Sequence, residues 1–600
     1  MRTDARTSRP GLTSFIGAPA LAGARAFVLT LSLAATPALA QAPAPEALPS
    51  TTVAPAQTAT AKHGMVASQD IFATRVGVAI LERGGNAVDA AVAVGFALAV
   101  SMPRAGNIGG GGFMVIHLAD GRAATIDYRE AAPAATTPGM FLDAKGEADP
   151  QKSRFSGAAI AVPGTVAGLA MAHTRYGSGK LKFADLIAPA IALARDGVPI
   201  DNDLLDSLLL VAPRFARSPA AMKIFLKPDG TVPPPGTLLK QPELAASLET
   251  IARDGARGFY EGEIAKKIVA TVRGAGGVMT EDDLKSYRAV ERPPLRGTYR
   301  GYDVISMPPP SSGGTHVIEM LNILEGFPLG SGNLGFGSPD AAHLMVEAMK
   351  LAYADRAEFL GDSDAVKVPV AMLISKAHAD ALRKEIDPKR ARGARELRPN
   401  SPAIGPGSGG NTTHFSVVDR MGNAVANTTS LNFNYGVSMV ADGTGIVLNN
   451  TMDDFSAKPG APNAFGLVGA SANAPGPNKR PLSSMTPTIV LKDGKPAILT
   501  GAPGGSRIIT AVLQVIVNVI DFKQSIGDAV AAPRVHHQWL PDEVLVERTV
   551  PAATIQALEA RGHTVKVGPP SGSAHSIAAT PHGLVGAADG RTRGALAAGY

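Results

Sequence analysis

Apolar positions recur at helical spacing twice in IFATRVGVAILERGGNAVDAAVAVGFALAVSMP, residues 71–103, with a Gly-Gly turn between the runs. The pattern predicts two closely packed helices. Asn86 is placed to cap the second, with Asp89 three residues on, beside the orphan amides of its first turn. The Gly-rich turn GNIGGGG follows and leads into FMVIHLADGRAATIDYRE, where Asp-Gly separates two strand-like runs as in a hairpin. From about residue 159 to 350 the text is mainly helical, as in FADLIAPAIALARDG, PELAASLETIARDGARGFY, GEIAKKIVATVRGAG and DAAHLMVEAMKLAYADRAEFL. Residues 387–411 lose that pattern in ELRPNSPAIGPGSGGN, and beyond Thr412 the texture turns to strands. THFSVV, AVANTTSL, TGIVLNN, TIVLKDGKPAILTG and VLVERT are the strand candidates, and SRIITAVLQVIVNVIDF, SIGDAVAAP and AATIQALEARG are helical again. The alternation predicts a layered α/β protein with a substantial sheet.

A chain of 600 residues exceeds the usual span of one core, so one very large globule or two merged halves is expected. Its 66 glycines and 47 prolines show no collagen period and imply many turns. Arg2, Arg6, Arg9 and Arg25 precede the apolar run AFVLTLSLAA, then TPALA and Gln41, the order of a secretory signal peptide over 1–40. The alternative, an uncleaved anchor, needs a longer apolar run. Export to the periplasm follows, or secretion in a host without one, with residues 41–62 as an Ala/Pro/Thr-rich tether. Removing the leader's four arginines and Asp4 takes the formal charge from +6 to +3, and no basic block interleaved with aromatics suggests a nucleic-acid surface. Zero cysteines exclude disulfides and thiolate catalysis.

GNIGGGG fits neither a dinucleotide fingerprint nor a phosphate loop, which leaves close packing of backbone beneath a pocket. The slack-to-strand transition at Asn411 and Thr412 invites a chemical reading. A threonine hydroxyl inside a chain is a poor nucleophile, but at a new N-terminus the α-amine beside it, with a pKa of roughly 8, can take the hydroxyl proton. Thr-Thr at a strand start is also ordinary β-propensity, and His414 beside it could be structural.

NTTHFSVVDRMGNAVANTTSLN, GIVLNNTMDDFSAKPG, KRPLSSMTPTIV, GAPGGSRIIT and the early GNIGGGGFMVIHLADGRAATIDYRE together resemble the bacterial γ-glutamyltransferase (glutathione hydrolase) family over residues 64–600. The resemblance implies an αββα sandwich of the N-terminal-nucleophile hydrolase type. It implies a precursor that cuts itself between Asn411 and Thr412 into two intertwined subunits, 63–411, ending in a flexible segment at about 392–411, and 412–600. Thr412 would attack the γ-glutamyl carbonyl of glutathione or another γ-glutamyl compound, and water, amino acids or short peptides would accept the group. The resemblance assigns the oxyanion to the backbone N–H groups of Gly504 and Gly505. It gives the glutamyl α-carboxylate to Arg129, Ser483 and Ser484, and the α-ammonium to Asp454 and Asn432. Ser430 would bond the Thr412 hydroxyl, with Thr428 in support.

Two positions depart from the family pattern. Thr451 stands where relatives often have a glutamine for the ammonium, and Phe465 stands where they can have a tyrosine on the loop covering the pocket. Nothing in this chemistry calls for a cofactor or metal. A glutaryl-cephalosporin-type acylase with the same nucleophile, and an exported amino-acid or peptide-binding module without catalysis, are the alternatives. The acylase substrate lacks the α-ammonium, so a working Asp454 speaks against it.

Overall fold

The computed structural model describes residues 53–397 and 411–600; the expected signal peptide at 1–40, the first part of the expected tether at 41–52, and residues 398–410 of the expected flexible segment lie outside the described residues. Two seven-stranded antiparallel sheets form the centre. One runs in the order Leu596–Gly599, Met65–Ser68, Asn411–Val418, Ala424–Asn432, Gly111–His117, Ala123–Asp127, Val290–Arg292. The other runs Gln57–Ala61, Gly583–Ala588, His575–Thr580, Lys495–Thr500, Thr488–Lys492, Tyr302–Ser306, Leu295–Tyr299.

The layering follows from side-chain alternation along these strands. In the first sheet Met114, Ile116, Val417 and Val425 point into a core shared with the helices Ile71–Glu82 and Ala87–Ser101. Their neighbours Val115, Val418, Ala424 and Ala426 point the other way, into a cluster that also holds Ile489, Leu491, Leu499 and Ile577 of the second sheet. On that sheet's far face Val490 and Ile498 meet the helices Gly313–Glu325, Pro339–Phe359 and Arg507–Ile520. Helices, sheet, sheet, helices is therefore the order of layers, an α/β architecture of the N-terminal-nucleophile hydrolase type.

Local expectations hold at the cap and the first hairpin. Asn86 accepts from the Val88 and Asp89 N–H groups while Asp89 accepts from the Asn86 N–H, a complete capping box. Gly110 and Gly112 lie against Ser430 O and Thr428 O, where an added Cβ would sit 2.2 and 2.3 Å from those backbone oxygens. The glycine run is thus required by the close approach of Ala424–Asn432.

Four readings need correction. The tether is shorter than 41–62, because Gln57–Ala61 pairs with Gly583–Ala588 as an edge strand; QTATA looks like a linker by composition, and its partner decides. The mainly helical stretch contains the hairpin Leu295–Tyr299/Tyr302–Ser306, whose turn places Arg300 and Gly301 at φ 53° and 76°. TGIVLNN supplies only the two-residue strand Ile446–Val447. In the flexible segment, Ala394–Leu397 is a short helix and Asn411 already belongs to a strand.

Candidate active site

The bond between Asn411 and Thr412 lies inside the first sheet, not in the loop before it. Asn411 pairs with Asn432 and Thr412 with Ser430, so Leu431 is an extra residue opposite that bond, and the register shifts there. Asn432 takes φ 77°, a left-handed conformation uncommon for a residue with a side chain. A bulge of this kind sharpens the local twist and re-aims side chains.

Hydrogen bonds at the bulge converge on Ser430. Its hydroxyl donates to Asn411 O at 2.8 Å, accepts from the Asn432 N–H at 2.8 Å, and lies 3.2 Å from Thr412 Oγ1. One proton cannot serve two acceptors, so Thr412 is the donor in the last contact. The Thr412 N–H donates to Asn411 Oδ1 at 3.0 Å.

Thr428 is not a direct partner of Thr412. Its Oγ1 contacts His414 Nδ1 at 2.9 Å, two residues along the same strand face, and His414 Nε2 contacts Ser416 Oγ at 3.1 Å. Burial holds His414 well below its ordinary value, so the ring is neutral and braces the strand.

Thr412, Ser430, Asn432, Arg129, Asp454, Ser483, Ser484, Gly505 and Phe465 line one space. Its free volume is about 20 Å³, room for one water. An ion pair between Arg129 Nη2 and Asp454 Oδ2 spans it, with the two side chains 1% and 12% exposed. Arg129 also donates through Nε to Pro481 O at 3.1 Å. Burial raises the Asp454 carboxyl above its usual range, and the Arg129 guanidinium opposes that shift. Asn432 Nδ2 donates to Asn450 O at 3.1 Å, fixing the amide.

Gly504 and Gly505 have φ of 131° and 58°, conformations open to glycine at little cost. They face different spaces: Gly505 lines the one with Thr412, while Gly504 lines a larger cavity next to it. The Phe465 ring covers Gly505 so closely that an added Cβ would sit 2.3 Å from it. The lid has no tyrosine hydroxyl to latch it, but Gln538 Nε2 donates to Phe465 O and the Phe465 N–H donates to Asn463 Oδ1, each at 3.0 Å.

Thr451 does not line the space. Its hydroxyl donates to Glu130 Oε1 at 2.7 Å, beneath the Arg129 side. A hydroxyl is too short to do there what a glutamine's reach would allow.

Arg356 was missed in the sequence. Its guanidinium donates to Ser312 Oγ at 2.9 Å and to Ser484 Oγ at 3.2 Å, and burial lowers it to about 10. It sits in a helix that reads as scaffold; an arginine inside a run as apolar as LAYADRAEFL was the available signal. Among the described residues, His343 with Glu347 and His563, all buried, and Glu319 with Asp355 and the half-buried His378 have ligand atoms close enough to hold a metal, and neither group lines the Thr412 space.

Comparison with known proteins gives the chain a family. Residues 73–599 match the model of the family described as gamma-glutamyltranspeptidase. The chain is 52% identical over 541 residues to the glutathione hydrolase proenzyme of Escherichia coli, covering 90% of this chain and 92% of that one. Among solved structures, a cephalosporin acylase from Bacillus halodurans superposes with a TM-score of 0.79 at 28% identity, covering 93% and 99% of the two chains. The gamma-glutamyltranspeptidase of Helicobacter pylori superposes with a TM-score of 0.52 at 45% identity, covering 54% of this chain and 91% of that one.

Proposed function

The chain belongs to the gamma-glutamyltranspeptidase family and is an enzyme, and from that premise we propose that it is made as a precursor, cuts itself between Asn411 and Thr412, and then cleaves glutathione and related γ-glutamyl amides. In the first event the Thr412 hydroxyl attacks the Asn411 carbonyl carbon, whose oxygen Ser430 polarises. The C–N bond breaks, freeing the Thr412 α-amine and leaving an ester that water opens. The amine so released is the base of the mature enzyme.

In turnover Thr412 attacks the γ-carbonyl, the leaving amine takes a proton, and a γ-glutamyl ester remains. Water then gives glutamate, or an amino acid or short peptide gives a new γ-glutamyl amide. Amide donors of the Gly504-Gly505 turn receive the oxyanion.

One observation carries the reading: a cation, an anion and two serine hydroxyls meet beside Thr412, the complement of an amino acid's α-carbon substituents. In the uncut chain Arg129 and Asp454 pair with each other on the wall of that space. A bound γ-glutamyl group replaces that pair with its own two charges, the carboxylate on Arg129, Ser483 and Ser484, and the ammonium on Asp454 and Asn432. The two subunits, 63–411 and 412–600, remain wound together. The leader at 1–40 directs export.

Intact mass and N-terminal sequencing test the first half: two polypeptides are expected, the smaller beginning Thr-Thr-His, and Thr412→Ala should stay whole and inactive. Rates on γ-glutamyl and glutaryl p-nitroanilides test the second. A preference for the glutaryl compound would favour the acylase reading, which the similarity to a cephalosporin acylase keeps in view.

A further inference from the structure

The two clusters of metal-ligating side chains differ in what already neutralises them. In the one built on Glu347, Lys350 Nζ donates to Glu347 Oε1 at 2.8 Å, so an ammonium holds the oxygen a metal would need. In the other, Glu319 and Asp355 bring two carboxyls together with side chains 0% and 2% exposed, and the bases against Glu319 are the imidazoles of His316 and His378. Three helices meet there: Gly313–Glu325 supplies His316 and Glu319, Pro339–Phe359 supplies Asp355, and Lys376–Arg383 supplies His378.

His378 Nε2 lies 2.7 Å from Asp355 Oδ2 and 3.6 Å from Glu319 Oε1, and ligand atoms of the three fall within 4.8 Å of one another. A tetrahedral zinc with bonds of about 2.0 Å spaces its ligands about 3.3 Å apart, between those two distances. Behind Glu319, His316 Nδ1 lies 2.6 Å from Oε2. Burial, with the Arg356 charge, holds the His316 ring well below its ordinary value, so it is neutral. Its Nε2 has no partner, which places the ring proton on Nδ1, donated to the carboxylate. That bond fixes Glu319 in the way an outer hydrogen bond orients a metal ligand. The other carboxylate oxygen, Oε1, faces His378, buried and without a hydrogen-bond partner. Burial first and Asp355 second raise this carboxyl well above its usual range, as when two carboxyls share a site short of positive charge.

We infer that Glu319, Asp355 and His378 form a binding site for a divalent metal ion of the zinc type, with water as the fourth ligand. One imidazole and two carboxylates suit zinc and its neighbours, whereas magnesium and calcium take shells of oxygen. The His378 side chain is 18% exposed and leaves the ion a way in. On binding, His378 turns its Nε2 lone pair to the metal and keeps its proton on Nδ1. The site is structural, since none of its residues lines the Thr412 space. It is nonetheless coupled to that space: Asp355 precedes Arg356, whose guanidinium reaches Ser484 Oγ on the wall. A bound ion ties the three helices together and braces that arm.

The test uses the purified protein without a histidine tag, stripped with a chelator and titrated with zinc sulfate by calorimetry. Wild type should bind one equivalent at this site, and its Tm should rise on binding. His378→Ala should weaken that binding by at least about 100-fold and abolish the Tm rise. Glu319→Gln, which keeps the side chain's shape, should do the same, with the circular dichroism of both metal-free variants matching metal-free wild type. Cobalt in place of zinc should give the visible absorption of a tetrahedral ion in wild type and in His343→Gln, and not in His378→Ala. Absence of saturable zinc binding by wild type, or binding that survives in His378→Ala and Glu319→Gln, overturns the site. Loss of binding in His343→Gln with retention in His378→Ala assigns the metal to the Glu347 cluster and overturns it equally.

Discussion

A serine hydroxyl has one proton to give, and at Ser430 it goes to the carbonyl oxygen of the bond expected to break. Ser430→Ala removes the donor that stabilises the developing oxyanion, so processing should slow by about 100-fold, with Ser430→Thr close to wild type. The conversion of full-length chain to two bands over time reads this directly, and an Ala variant that matures at the normal rate excludes the role. Asp454 makes a prediction in pH. Burial raises its carboxyl above the usual aspartate range, so it takes up a proton at higher pH than an exposed aspartate. The KM for a γ-glutamyl anilide should therefore climb as pH falls through that raised value, while the KM for a glutaryl anilide, lacking the ammonium, should not follow. Thr412, Arg129 and Asp454 could be singled out because their sequence blocks are distinctive, and the fold brings the three to one space. Arg356 and the Thr451–Glu130 bond were not, since what matters about them is which buried neighbour they meet across more than a hundred residues of chain.

Strand and helix assignments followed the same divide between local and distant causes. The Asn86 cap and the Asp-Gly hairpin are settled within a few residues, and they appear as read. The edge strand Gln57–Ala61 and the hairpin at 295–306 owe their form to partners elsewhere. The glycine run shows how an element serves the site: it lets Ala424–Asn432 lie close enough to present Ser430. Gly110→Ala would put a methyl group 2.2 Å from Ser430 O, against backbone that cannot step aside. A loss of about 3 kcal/mol in the urea unfolding free energy is expected, together with slower maturation, because the strand carrying Ser430 must shift. Unchanged stability in that variant would mean the two strands part more easily than their packing indicates.

At the scale of the molecule, both sheets interleave the two parts of the chain. Asn411–Val418 and Ala424–Asn432 lie between Met65–Ser68 and Gly111–His117, and in the other sheet four strands from beyond residue 412 lie between Gln57–Ala61 and Tyr302–Ser306. Cutting the 411–412 bond leaves every one of these ladders in place. The processed pair should migrate as one species without denaturant and lose its structure in a single urea transition. Refolding should separate the two forms: recovery of the uncut Thr412→Ala chain should be independent of protein concentration, while recovery of the cut pair should drop on dilution. Equal recovery at all dilutions would count against this interlocking. A cut inside a sheet is also a one-way event, because it removes the covalent link that once made closing those ladders an intramolecular search. On the proposed cleavage, the mature pair would persist through its barrier to opening, and its working lifetime would be set by how fast it unfolds rather than by how readily it could form again.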